Sequence, residues 1–172
     1  MGGSLKEEEI VSILSKHPIY GKIKTFIETG TYKGETSIIA SKFFTVYTIE
    51  INEERHIEAK EKYNHSNINF YLGDSVEILK KFQENPMPTM FFLDAHQSGN
   101  DTSNNGKNVP LLDELDIILK NNYYPCIIII DDVRLFDNYW DWKGITVENI
   151  VNIFGNRLKD YSISNDRMVI YC

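Results

Sequence analysis

Apolar positions along this chain fall into short runs separated by amphipathic stretches. The runs are Phe26-Ile27 within the stretch 25–29, Val46 to Ile51, Ile68 to Leu72, Thr89 to Asp94 and Ile127 to Asp132. Each has strand length, and those at 89–94 and 127–132 are apolar without alternation, as in strands buried on both faces. Between them, apolar residues recur at helical spacing. Helices are predicted over 6–20, ending before His17-Pro18, and over 34–44 with Ile38, Ile39, Phe43 and Phe44 inward. Others follow over 53–63 behind an Asn52 cap, over 76–82, and from Pro110 through Leu119. A polar stretch at 97–109 and an aromatic stretch at 134–146 read as loops. A short helix at 147–154 and two successive strands, 158–164 and 168–171, close the pattern.

Strands that alternate with helices argue for a parallel sheet covered on both faces. The expected fold is therefore α/β and Rossmann-like. It is a seven-stranded, mostly parallel sheet with an antiparallel C-terminal strand, in one domain over 1–172. Residues 1–4 resemble an expression leader. In such sheets ligands bind beyond the carboxyl ends of the strands. Acids stand at those ends: Glu28, Glu50, Asp74, Asp94, Asp131 and Asp132.

Composition narrows the function classes. A net charge of −7 argues against a nucleic-acid surface, which would show as a basic patch. No apolar run approaches the ~20 residues that span a bilayer, and no signal-peptide core opens the chain, so membrane insertion is not expected and a cytoplasmic location is. The two cysteines, Cys126 and Cys172, form no metal-type spacing, and Cys126 reads as a small core residue.

The candidate chemistry centres on Thr25-Phe-Ile-Glu-Thr-Gly-Thr-Tyr-Lys-Gly-Glu-Thr36. A strand runs into a glycine turn and then a helix start, where amide N–H groups and the helix dipole converge. Its G-x-x-x-G spacing matches neither the dinucleotide nor the P-loop fingerprint, and the Glu28 carboxylate would repel a pyrophosphate. A plain βα turn remains an alternative. Glu50 ends the next strand 22 residues after Glu28, placed to accept from a ribose diol. Asp74 and Ser75 follow the third strand, either to meet an exocyclic amine or to cap the next helix.

With these elements in order, residues 25–135 resemble the class I S-adenosylmethionine-dependent methyltransferases. The resemblance is carried by Glu28-Thr-Gly-Thr-Tyr-Lys-Gly34, Thr48-Ile-Glu50 and Leu72-Gly-Asp-Ser75. It implies that Gly30, Thr31, Tyr32 and Gly34 cradle the methionine part of the cofactor, with Glu28 near its amino group. It also implies that Glu50 holds the ribose, with Asp74, Ser75 and Asp94 completing the cofactor site. Leu93-Asp-Ala-His-Gln-Ser-Gly99 and Ile130-Asp-Asp132 are similar to the macrocin-type sugar O-methyltransferases. There, matching aspartates bind a divalent cation, which implies Asp94, Asp131 and Asp132 as ligands. Oxygen-only ligands favour a hard ion such as Mg²⁺.

His96 stands where some relatives place an aspartate base. Histidine is the residue type that titrates closest to neutral pH, which suits removal of a hydroxyl proton. His96, or Asp94, is the expected catalytic base. His17, His56 and His65 read as solvated. Trp140 and Trp142, beside acids, suit a sugar face, and 97–109 suits a lid. The expected reaction is O-methylation of a small-molecule or glycan-type hydroxyl. An NAD-dependent oxidoreductase and an idle cofactor-binding scaffold are the alternatives, and a homodimer is left open.

Overall fold

The structure is a computed structural model that describes residues 3–65, 67–82, 87–96, 109–121 and 123–172. In chain order the elements are α1 (Glu7–Ser15), β1 (Thr25–Thr29), α2 (Glu35–Ala40), β2 (Thr45–Glu50), α3 (Glu53–Lys62), β3 (Ile68–Leu72) and α4 (Ser75–Lys81). They continue as β4 (Thr89–Leu93), α5 (Leu111–Lys120), β5 (Cys126–Ile130), α6 (Val147–Phe154), β6 (Asp160–Ser164) and β7 (Arg167–Tyr171).

The strands form one sheet in the order β3-β2-β1-β4-β5-β7-β6. The first five are parallel, and β7 enters antiparallel between β5 and β6. β7 is thus the single antiparallel C-terminal strand expected from the sequence, and β6, antiparallel to β7, runs in the same direction as the first five. The strand order reverses between β1 and β4, and a crevice opens there at the carboxyl edge.

Side chains alternate across the sheet, so each buried strand feeds two cores. Ile27, Ile49, Phe91, Ile128 and Ile130 pack with α4, α5 and α6. Phe26, Val46, Met90, Phe92, Ile127 and Ile129 pack with α1 and the segment 40–44. This double demand is why β4 and β5 carry apolar residues without alternation.

Several expectations are revised. Helix α2 ends at Ala40, and it buries Thr36, Ser37 and Ala40 while Ile38 and Ile39 stay half-buried. Its inner face is polar because it meets polar groups: the Thr36 hydroxyl accepts from the Leu5 amide, and the Ser37 hydroxyl donates to Glu28. His56 is buried edge-on against Phe70, and His17 packs between Tyr20 and Tyr171, so neither is simply solvated. Cys126 and Cys172 are bonded to each other. They face each other across β5 and β7, and exchange backbone hydrogen bonds of 2.8 and 2.9 Å. Closing a loop over a separation of 46 residues restricts the unfolded chain by about 4 kcal/mol in the loop-entropy picture. Disulfides persist mainly in oxidising surroundings, which sets this pair against the cytoplasmic expectation.

Among the described residues, no helix is long and apolar enough to cross a membrane. The expected lid at 97–109 lies, up to residue 108, outside the described residues.

Candidate functional site

At the tip of β1 the chain turns through Gly30 and Gly34, both at positive φ. The glycines are needed there, but for protein contacts. A Cβ on Gly30 would lie 2.6 Å from the Asp94 carbonyl oxygen, and one on Gly34 would lie 2.9 Å from the Tyr63 ring. The turn's amides are engaged as well. Gly30 and Thr31 donate to the Ile49 carbonyl, Gly34 to the Thr31 carbonyl, and Tyr32 to Glu50 Oε2 at 2.8 Å. Of the N–H groups expected to cradle a ligand, those of Gly30, Thr31, Tyr32 and Gly34 are thus engaged within the protein. It is Glu50 that braces the turn, taking the Asn52 amide on its other oxygen at 2.9 Å. Each Glu50 oxygen still has a second lone pair for a ligand. Tyr32 is displayed at the tip in a left-handed conformation, with Arg55 stacked 5.2 Å from its ring centroid.

Glu28 is fully buried and faces α2. Its Oε2 accepts from the Thr48 hydroxyl at 2.6 Å and from Ser37, and the Thr31 and Thr48 hydroxyls meet at 2.5 Å. Burial pushes the Glu28 carboxyl up to about 7, only partly opposed by the two hydroxyls. The acid is thus protonated in the fold where the unfolded chain would already be ionised. Its contribution is fully present below the unfolded value of 4.5 and is lost as pH rises through about 7. The difference corresponds to roughly 3 kcal/mol. Glu28→Gln should therefore gain stability relative to the wild type, by about that amount, between pH 4.5 and 8. Urea unfolding of both proteins at the two pH values checks this, and a constant difference would refute it.

Asp74 caps α4, its Oδ1 accepting from the Glu77 amide at 3.0 Å, with Ser75 buried beside it. Capping and ligand contact are compatible, since the cap engages Oδ1 and the residue is half-buried.

Beyond β4 and β5 a second cluster forms. His96 Nε2 lies 3.0 Å from Asp132 Oδ2, and its Nδ1 lies 3.5 Å from Asp94 Oδ1. The Trp142 ring closes on His96 edge-first at 5.3 Å and stacks on Phe136. Burial raises the Asp94 carboxyl well above its usual range, and the nearby Asp131, Asp132 and Glu28 add to the rise. Burial would raise Asp132 too, but His96 and Arg134 outweigh it and hold the carboxyl low. One donor atom each from Asp94, His96 and Asp132 falls within 4.8 Å of the others, a group able to hold a metal ion.

Asp131 is absent from that group. Its Oδ1 accepts the Asp132 amide at 3.0 Å and lies 3.3 Å from Arg167 Nε. Adjacent strand-end residues point opposite ways, so only Asp132 turns toward His96. His96 takes the place expected for Asp131, and the donor set becomes mixed nitrogen and oxygen. Arg167, buried over Phe92, also reaches Glu9 of α1 at 3.0 Å. Nothing in the sequence marked it, because its partners are distant along the chain. Trp142 is 6 % exposed and lines the cleft, whereas Trp140 is 80 % exposed and projects away. The cleft is small and is bordered by Leu93, Asp94, His96, Ile130 and Trp142, with Glu114 of α5 also in its lining. Glu114 was overlooked in the sequence, although an acid three residues after Leu111 on an apolar stripe was the available signal.

No known family profile matches the chain, and no curated protein matches it in sequence. Solved structures do match. A Klebsiella pneumoniae protein designated an O-methyltransferase superposes with a TM-score of 0.71 at 16 % identity, over 99 % of this chain and 82 % of its own. The fold is that of the O-methyltransferases. TomG of Streptomyces achromogenes, an O-methyltransferase of tomaymycin synthesis solved with SAM, gives 0.66 at 16 % identity, over 94 % and 75 %. The methyltransferase MycE of the mycinamycin pathway, solved with Mg, SAH and mycinamycin VI, gives 0.59 at 12 % identity, over 88 % of this chain and 45 % of that one.

Proposed function

We propose that this chain is an S-adenosylmethionine-dependent O-methyltransferase acting on a hydroxyl of a sugar or similar polyol, with His96 as general base. The observation that carries this reading is the placement of His96 between Asp94 and Asp132, on the edge where Glu50 braces the β1 turn. The site fits the cofactor: Glu50 keeps acceptor capacity for a diol, and one oxygen of Glu114, which lies beside Thr29 at the end of β1, is buried without a partner. Solved structures of like fold hold SAM or SAH.

When bound, S-adenosylmethionine supplies a methyl group on a sulfonium and leaves as S-adenosylhomocysteine. The protein aligns the nucleophile, excludes water and removes one proton. With Nε2–H donated to Asp132, Nδ1 is the nitrogen that can take the hydroxyl proton, and the Asp132 carboxylate stabilises the resulting imidazolium. Trp142 offers an apolar wall for the acceptor, and its packing on Phe136 fixes the wall in place. Asp94, His96 and Asp132 would instead hold a divalent cation such as Mg²⁺ or Mn²⁺ if one is required, and the cation would then orient the acceptor's hydroxyls.

Titration calorimetry tests the cofactor. S-adenosylhomocysteine should bind and NAD should not, and Glu50→Ala should weaken binding by about 1–3 kcal/mol. Binding of NAD alone would replace this reading with the oxidoreductase. Mass spectrometry of glycans incubated with methyl-labelled cofactor then identifies the acceptor, and a cofactor-loaded protein that labels none would point to a scaffold.

A further inference from the structure

The base and ribose assignments leave one buried acid unused. Glu114 stands in the first turn of α5, on the stripe that buries Leu111, Leu115 and Ile118, and is only 1 % exposed. Its carboxyl lies beside the Ser75 hydroxyl at the start of α4 and the Thr29 hydroxyl at the end of β1. Its Oε1 is buried with no hydrogen-bond partner. A buried carboxyl oxygen is usually completed by a protein group, a water or a ligand. Burial pushes the group up to about 7, so keeping it ionised requires a cation.

The surroundings say where that cation comes from. Glu114 lines the cleft beyond β4 and β5 together with Asp94 and His96, and no lysine or arginine is among the described residues bordering it. Thr29, its neighbour, immediately precedes the Gly30 turn. Glu28 was the acid expected near the cofactor's amino group, but it faces α2 and already accepts from Ser37 and Thr48. We infer that Glu114, through Oε1, receives the α-ammonium at the amino-acid end of the cofactor. An ammonium is a compact, donor-only cation, the complement of an unpartnered carboxylate oxygen. This inference rests on the cofactor reading above and adds to it a recognition residue from α5.

A binding cycle tests it without any acceptor. S-adenosylhomocysteine and its analogue lacking the α-amino group are titrated calorimetrically into the wild type and into Glu114→Gln, which keeps the side chain's size. The wild type should bind the analogue about 10- to 100-fold more weakly than the parent. Glu114→Gln should weaken the parent by a similar factor and leave the analogue unchanged. Equal wild-type affinity for both ligands would overturn the inference whether or not the variant folds. So would an equal loss for both ligands in Glu114→Gln, which would assign the residue to the adenosine or to general packing. A wild type that binds neither ligand would instead remove the cofactor reading itself.

Discussion

His96→Ala is expected to lower turnover by ~10²–10⁴, the usual worth of a general base, with S-adenosylhomocysteine affinity unchanged. The imidazole is held by Asp132 at 3.0 Å and walled by Trp142, so its loss removes a proton acceptor without touching the Glu50 brace. The measurement is single-turnover transfer to the acceptor found by labelling, alongside calorimetry of the product cofactor. A chelator separates the two roles this cluster could play. If His96 is the base, EDTA should leave the wild-type rate intact. If EDTA silences the enzyme and Mn²⁺ restores it, Asp94, His96 and Asp132 are a cation cage and the base lies elsewhere. Near-normal turnover in His96→Ala would remove the residue from the mechanism altogether.

The second large effect is structural. Gly30→Ala should destabilise the fold by roughly 3–5 kcal/mol, combining a left-handed backbone with a clash that neither side can relieve. The added Cβ would sit 2.6 Å from the Asp94 carbonyl oxygen, and both partners are backbone at the crevice between β1 and β4. Gly144 provides the comparison. It has a similar positive φ of 82°, but nothing lies within 4 Å of its Cβ position, so Gly144→Ala should cost only ~1 kcal/mol. Denaturant unfolding of the two variants isolates the close approach. Equal losses would mean that the crevice is looser than the structure shows, and that a ligand sets the need for glycine at position 30.

Much of this was legible in the sequence, because it is written in local pattern. The unbroken apolar runs at 89–93 and 126–130 specify strands buried on both faces. The Asn52 and Asp74 caps mark helix starts, and both accept the expected backbone amide. Strand-end acids followed from the alternation, since strands of one parallel sheet present their carboxyl ends on one edge. That is enough to place Glu28, Glu50, Asp94 and Asp132 near a common crevice.

Tertiary structure decided which of those acids meet which partners. Glu28 and Thr29 are neighbours in sequence, yet the pleat sends Glu28 to Ser37 and Thr48 and Thr29 toward Glu114. Asp131 and Asp132 divide in the same way. One pairs with Arg167, itself bonded across 158 positions to Glu9, and the other with His96. The cysteines join only because β7 returns antiparallel beside β5 and brings the last residue opposite Cys126. Periodicity fixes the face a side chain takes within its own element, over a few residues. The identity of the group across the gap depends on strand order and register, which bring together parts of the chain that carry no local signal of one another.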